Sequence, residues 1–112
     1  MLKLTNFLKK GKNIKQGNLE DKAENIKTLV CETVGIPLED ISKKSRKEEV
    51  VTARQLFCYY CLRLTNLTLA AMGKKVNIKH STALHGIRKI KRERKFNKMY
   101  DTYCDQIEDH LS

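Results

Sequence analysis

Leu69-Ala70-Ala71-Met72-Gly73, Lys74-Lys75-Val76-Asn77-Ile78-Lys79 and His80-Ser81-Thr82-Ala83-Leu84-His85-Gly86-Ile87-Arg88-Lys89-Ile90 follow one another without a break. Thr68 is placed to cap a brief helix over Leu69–Met72, and Gly73 is placed to stop it. Residues 74–79 then form a turn. From His80 onward, Ala83/Leu84, Ile87 and Ile90 recur on one apolar stripe at helical spacing, with Arg88, Lys89, Lys91 and Arg92 off it. A short helix, a turn and an amphipathic helix with a polar, basic leading end make a helix-turn-helix pattern. In that arrangement the second helix fits the major groove of a duplex, and its N-terminal side chains reach base edges while its first amides attract phosphate. His80, Ser81 and Thr82 are short hydrogen-bonding side chains at that end.

Upstream of this segment, Glu48 to Leu64 predicts a helix whose run Phe57-Cys58-Tyr59-Tyr60-Cys61-Leu62 is apolar nearly all round, which belongs at the centre of a domain. Ser42-Lys43-Lys44-Ser45-Arg46-Lys47 before it is a polar basic loop. Pro37 to Ile41 suits one short helical turn with Pro at its first position. Upstream, Asn18 and Asp21 open a helix carrying Ile26, Leu29, Val30 and Val34, which Gly35 ends. Downstream, Phe96, Tyr100, Tyr103, Ile107 and Leu111 alternate at steps of four and three on a last helix. One Pro and five Gly among 112 residues leave few breakers. The expectation is an all-α helix-turn-helix bundle with an extra C-terminal helix, with residues 19–112 as the domain and residues 1–18 as a flexible basic arm.

Charge adds to the pattern. The chain has 23 Lys and Arg against 13 Asp and Glu, a formal net charge of +10. Residues 1–18 hold five lysines and no acid, whereas residues 67–98 hold ten Lys and Arg against Glu93 alone. The tail from 99 to 112 is acidic, with Asp101, Asp105, Glu108 and Asp109. A +9 block across a folded segment is more than solubility requires, so the expected partner is an anion: nucleic acid first, an anionic membrane second. The length excludes nucleotide-hydrolysing and barrel enzymes. No run reaches the ~18–20 apolar residues of a spanning helix, and the N-terminus lacks the apolar segment of a signal peptide.

Other chemistries fit the residues less well. Cys58-x-x-Cys61 followed by His80 and His85 invites a zinc finger. The gap to His80 is 18 residues, however, against ~12 in that motif, and both thiols fall inside an apolar helix. All four cysteines (Cys31, Cys58, Cys61, Cys104) fall in helical stretches and read as reduced thiols of a cytoplasmic protein. His80 and Ser81 are sequence neighbours that point apart on a helix, and nothing supplies a carboxylate to orient an imidazole, so no catalytic residue is assigned. Tyr59, Tyr60, Phe96, Tyr100 and Tyr103 read as core rather than as stacking platforms. No metal, cofactor or small-molecule substrate is expected.

Arg46, Ala53-Arg54-Gln55, Leu64-Thr65-Asn66, Leu69 to Gly73, His80-Ser81-Thr82-Ala83-Leu84-His85 and Arg88-Lys89-Ile90 together resemble the C-terminal DNA-binding domain of the bacterial replication initiator DnaA, over about residues 20–92. The resemblance implies a stand-alone reading head that recognises the initiator's box in duplex DNA, in replication initiation or its regulation. By it, Arg46 enters the minor groove, where narrow A·T-rich DNA concentrates negative potential. Arg54 and Gln55 work near bases and backbone, amides near Leu69 meet a phosphate, and His80, Ser81 and Thr82 read the major groove. Lys74, Lys75, Arg88 and Lys91 are expected to add phosphate contacts. Lys79 stands where the family has an Asp that accepts from a base; lysine cannot accept, so a cytosine contact gives way to guanine or phosphate. The turn before it is about one residue shorter, Ala83 replaces a Val, and Leu62 occupies a basic position that Arg63 adjoins. DNA binding carries over; the box itself stays open. The replication initiator or other replication proteins are further expected partners. A Trp-repressor-like transcription regulator and a protein- or RNA-binding module using the basic face are the alternatives.

Overall fold

The helix over Glu48–Leu64 sits at the centre, as its composition requires: every residue from Leu56 to Cys61 is buried, which spans more than one full turn. The computed structural model describes residues 19–111, and the basic arm read at residues 1–18 lies outside the described residues. The described chain runs α1 (Leu19–Val34), a 3-10 turn (Leu38–Ser42), α2 (Glu48–Leu64), α3 (Leu69–Lys75), α4 (His80–Glu93) and α5 (Lys98–Leu111), with no strand among the described residues. Helix α1 ends where the Gly35 and Ile36 amides both donate to the Cys31 carbonyl, at 2.8 and 3.0 Å.

Helices α1, α3 and α4 pack around α2, and α5 closes the back against α1 and α4. The core joins Ile26 and Val30 of α1, Leu56, Phe57 and Tyr60 of α2, Met72 of α3, Ala83 and Ile90 of α4, and Cys104, Ile107 and Leu111 of α5. All four cysteines are buried free thiols. Burial pushes the Cys58 thiol up to about 12 and that of Cys31 to about 11, so neither forms a thiolate at neutral pH.

Two boundaries differ from the sequence expectation. Helix α3 passes through Gly73 and continues to Lys75. The last helix begins at Lys98, because Phe96 and Asn97 close a turn onto the Glu93 carbonyl and the Asn97 Oδ1 accepts the Met99 amide at 3.0 Å. Phe96 is thereby left out of the apolar face and is 83% exposed, whereas Tyr59, Tyr60 and Tyr100 are buried as expected.

A polar fastener ties α5 to α2. The Tyr60 hydroxyl and the Arg94 Nη1 donate to Glu108 Oε2 at 2.8 and 3.0 Å. Partial burial alone would raise the Glu108 carboxyl, but the hydrogen bonds from Arg94 and Tyr60 overcome it and hold the group below its ordinary value. A depressed carboxyl contributes stability above its unfolded-state value and loses it as pH falls through the folded one. Glu108→Gln is therefore expected to cost about 1–2 kcal/mol at pH 7. It should also flatten the acid limb of stability below about pH 4.5. Urea titrations at pH 7 and pH 4 check this, and an equal cost at both would refute it.

Candidate nucleic-acid interface

The basic loop between the 3-10 turn and α2 is built from its carbonyls. Pro37 opens the turn, with the Asp40 amide on the Pro37 carbonyl at 3.0 Å and the Lys43 amide on the Asp40 carbonyl at 3.1 Å. Arg54, from the second turn of α2, reaches back under the loop. Its Nε donates to the Ile41 carbonyl at 2.7 Å, Nη1 to the Ser45 carbonyl at 3.0 Å, and Nη2 to the Lys43 carbonyl. Burial lowers the guanidinium from its ordinary value. A rigid fork of donors suits three carbonyls better than a single ammonium would. Ser45 Oγ accepts the Lys47 amide at 3.2 Å, so Arg46 is carried exposed at the crest between two anchored neighbours.

The corner between α3 and α4 is equally constrained. Thr68 caps α3, its Oγ1 accepting the Ala71 amide at 3.0 Å, as the sequence predicts. The Val76 and Ile78 amides both donate to the Gly73 carbonyl, at 3.1 and 2.9 Å, and Val76 is fully buried. Asn77 turns the chain at φ 61, a conformation that Asn tolerates better than most side chains. The Ile78 carbonyl folds so closely onto α3 that a Cβ on Gly73 would lie 2.6 Å from its oxygen. That approach, and not a helix stop, is why Gly is needed there. Gly73→Ala would ordinarily favour a helix by ~0.5–1 kcal/mol. Here the clash is with backbone, so it is expected to destabilise the domain by about 1–3 kcal/mol. Urea unfolding checks the sign; a stabilised variant would show that the turn relaxes freely.

Lys79 leads into α4 without a side-chain cap, so the first amides of α4 are left for other acceptors. On α4, Ala83, Gly86, Ile87 and Ile90 are buried against the core, whereas His80, Ser81, Thr82, His85 and Arg88 are exposed. Two open clefts meet at this corner. One, of about 800 Å³, is lined by Ala70, Lys74, Asn77, Ile78, Lys79, His80, Ser81 and Thr82. The other, of about 470 Å³, is lined by Lys43, Lys44, Ser45, Arg46 and Arg54 and shares Asn77, Ile78 and Thr82 with the first. They form one trough with the basic loop at one end and the start of α4 at the other.

Arg46, Lys74, Lys79, His80, Ser81 and Thr82 are thus brought together in the trough. Lys43, Lys44 and Asn77 join them, though sequence reasoning did not single them out. An Asn within a basic turn, a residue type that tolerates positive φ, was the available signal that Asn77 shapes the turn, though not that it reaches the loop. Other predicted residues stand differently. Arg54 faces the loop carbonyls from below. Gln55 packs its Cγ against Gly86, and its amide oxygen is buried at a smaller adjoining cleft of about 290 Å³. Leu69 is half-buried at the start of α3 and does not line the trough. Lys75 is half-buried, its charge felt at the Cys61 thiol. Arg88 and Lys91 are exposed further along α4, outside the trough lining. Arg63 lies over the Tyr59 ring, 5.5 Å from its centroid.

A helix-turn-helix with a basic loop beside the leading end of its second helix defines a DNA-binding domain of the helix-turn-helix class. Residues 23–90 match the family described as bacterial DnaA protein helix-turn-helix, and the chain belongs to that family. It is 34% identical over 85 residues to the chromosomal replication initiator protein DnaA of Thermodesulfovibrio yellowstonii, covering 75% of this chain and 19% of that protein. With the protein of the same name from Borrelia garinii it shares 37% identity over 85 residues, 75% of this chain and 18% of the relative. With that from Flavobacterium psychrophilum it shares 30% over 102 residues, 90% of this chain and 21% of the relative. The chain spans about a fifth of the length of these curated relatives. No solved structure matches. Helix α5 lies beyond the residues matched to the family.

Proposed function

We propose that the chain binds double-stranded DNA sequence-specifically and acts in the initiation of replication or its regulation, as a binding protein and not an enzyme. The observation that carries this reading is the continuous trough that joins the Arg46 loop to the start of α4. An exposed arginine at one end suits a narrow minor groove. At the other end, His80, Ser81 and Thr82 on the first turn of a helix suit base edges in the adjacent major groove. Lys43, Lys44, Lys74 and Lys79 between and beside them suit the intervening phosphates, and Arg88 and Lys91 extend that surface along α4. Residues 19–112 form the reading domain in this proposal, and the lysines of residues 1–18 add contacts to the backbone. No helix of the described residues is long and apolar enough to cross a membrane, and the place of action we infer is the cytoplasm, with DNA.

Fluorescence anisotropy at physiological salt tests the proposal, comparing a duplex that carries an initiator-type box with a shuffled duplex of equal composition. A preference for the box of ~10³-fold or more is expected of a specific reader. Equal affinity for both would leave a general DNA binder and remove the proposed role at initiator boxes, with Lys79 as the first position to examine.

A further inference from the structure

One contact spans the gap between the halves of the trough, and a second set ties the loop to α2. Asn77 Nδ2, in the α3–α4 turn, donates to the Ser42 carbonyl at 3.2 Å, across 35 residues of sequence. Arg54, on α2, holds the carbonyls that follow, Lys43 and Ser45, as well as Ile41 before them. Because α2 packs directly on α4, both contacts refer the loop to the same rigid body as the reading helix. Without them, the loop between Ser42 and Glu48 would keep only short-range contacts, such as the Lys43–Asp40 ion pair at 3.1 Å and the Lys47 amide on Ser45 Oγ, and nothing tying it to α2 or to the α3–α4 turn.

We propose that Asn77 and Arg54 are positioning residues that fix the Arg46 loop at a set distance from the start of α4, so that the two ends of the trough engage a duplex as one unit. This rests on the DNA-reading function proposed above. The physical reason is pre-organisation: a loop already held in its bound position does not have to be ordered when DNA arrives. Asn77 serves twice, since one residue must both adopt φ 61 and present an amide donor to Ser42. Gly would supply the first property without the second.

Asn77→Gly therefore keeps the turn and removes the brace. On the preferred duplex it should lower affinity about 3- to 10-fold, the worth of one hydrogen bond. Arg54→Lys, which keeps the charge and loses the fork, should lower it about tenfold. The decisive measurement is a double-mutant cycle with Arg46→Ala. If the brace acts by placing the loop, each loss should shrink by at least about half in the Arg46→Ala background, the remainder being the contacts of Lys43 and Lys44 on the same loop. Losses of the same size in both backgrounds would overturn the proposal, because Asn77 and Arg54 would then act through α4 or on phosphate directly. No loss in either background would overturn it as well.

A second readout needs no DNA. In ¹⁵N relaxation of the free protein, Asn77→Gly should raise the mobility of the Lys43–Lys47 amides and leave those of α4 unchanged. An unchanged loop would overturn the brace even if the duplex preference is as expected. Conversely, a loop that loosens in a protein that fails to prefer the box would sink the proposed target and leave the brace standing.

Discussion

Raising the salt concentration from 50 to 200 mM should weaken binding to a duplex about 10³-fold or more. The expectation comes from counting cations on the proposed surface. Lys43, Lys44, Arg46, Lys74 and Lys79 line the trough, and Arg88 and Lys91 lie exposed beyond it on α4. Neutralising about six to eight phosphates releases a comparable number of condensed counterions, with a slope of log K on log salt near −0.9 per contact. None of these side chains is fully buried, though Lys43 is paired with Asp40 at 3.1 Å and must trade that partner for a phosphate, and the salt dependence is set by the counterions that DNA releases. Replacing Lys74 with Ala should lower the slope by about one and weaken all duplexes alike. The steepness also bears on the alternative that the basic face docks a protein. A slope shallower than about −2 would mean that only about two phosphates are neutralised and would argue against this basic face as the DNA-binding surface.

Much of this surface was legible in the sequence, for physical reasons that differ from residue to residue. Helix α2 could be bounded at Glu48 and Leu64 because a run apolar nearly all round belongs at the centre, with Leu62 alone of that run left exposed, and its ends are marked by the basic loop and by Thr65-Asn66. His80 as the start of α4 followed from the polar, basic stretch that precedes the stripe Ala83, Ile87 and Ile90; that stripe leaves Ser81 and Thr82 off it, and His80, in phase with it, is exposed because it is the first residue of the helix. Gly73 misled, because a glycine after a short helix is most simply a stop. Its reason here is the Ile78 carbonyl folded against it, a contact made through a turn whose shape no local pattern specifies. Phe96 misled similarly: its spacing to Tyr100 fits a helical face, but Asn97 restarts the chain between them. For Arg54, the sequence offered a cation in a basic segment, and what the fold adds is the direction in which it points. Its three bonds to loop carbonyls depend on α2 and the loop folding back on each other, and 9 to 13 residues separate the partners. The role of Asn77 was hidden for the same reason, at a separation of 35 residues.

Arg46→Ala and His80→Ala should each lower affinity for the preferred box by about 1–3 kcal/mol, a factor of roughly 5 to 150, and lower affinity for shuffled DNA much less. The two residues occupy opposite ends of the trough, so they test two grooves separately. Arg46 is exposed on a loop whose neighbours are anchored by Arg54 and by Ser45 Oγ, and a guanidinium so presented gains most where the minor groove is narrow. His80 opens α4, where a ring nitrogen and the adjoining Ser81 and Thr82 hydroxyls can reach base edges and a thymine methyl. Both side chains are exposed and outside the core, so unfolding free energies should change by less than about 0.5 kcal/mol, and losses of binding cannot be assigned to misfolding. Anisotropy titrations of the two variants on both duplexes, at one fixed salt concentration, decide the matter. Equal losses on box and shuffled duplex would make these residues contributors to general affinity and not to readout. A selective loss for His80→Ala alone would confine readout to the major groove and leave the Arg46 loop as a phosphate clamp. Selective losses for both require the loop and the helix to address one continuous stretch of duplex, which is the geometry the trough presents.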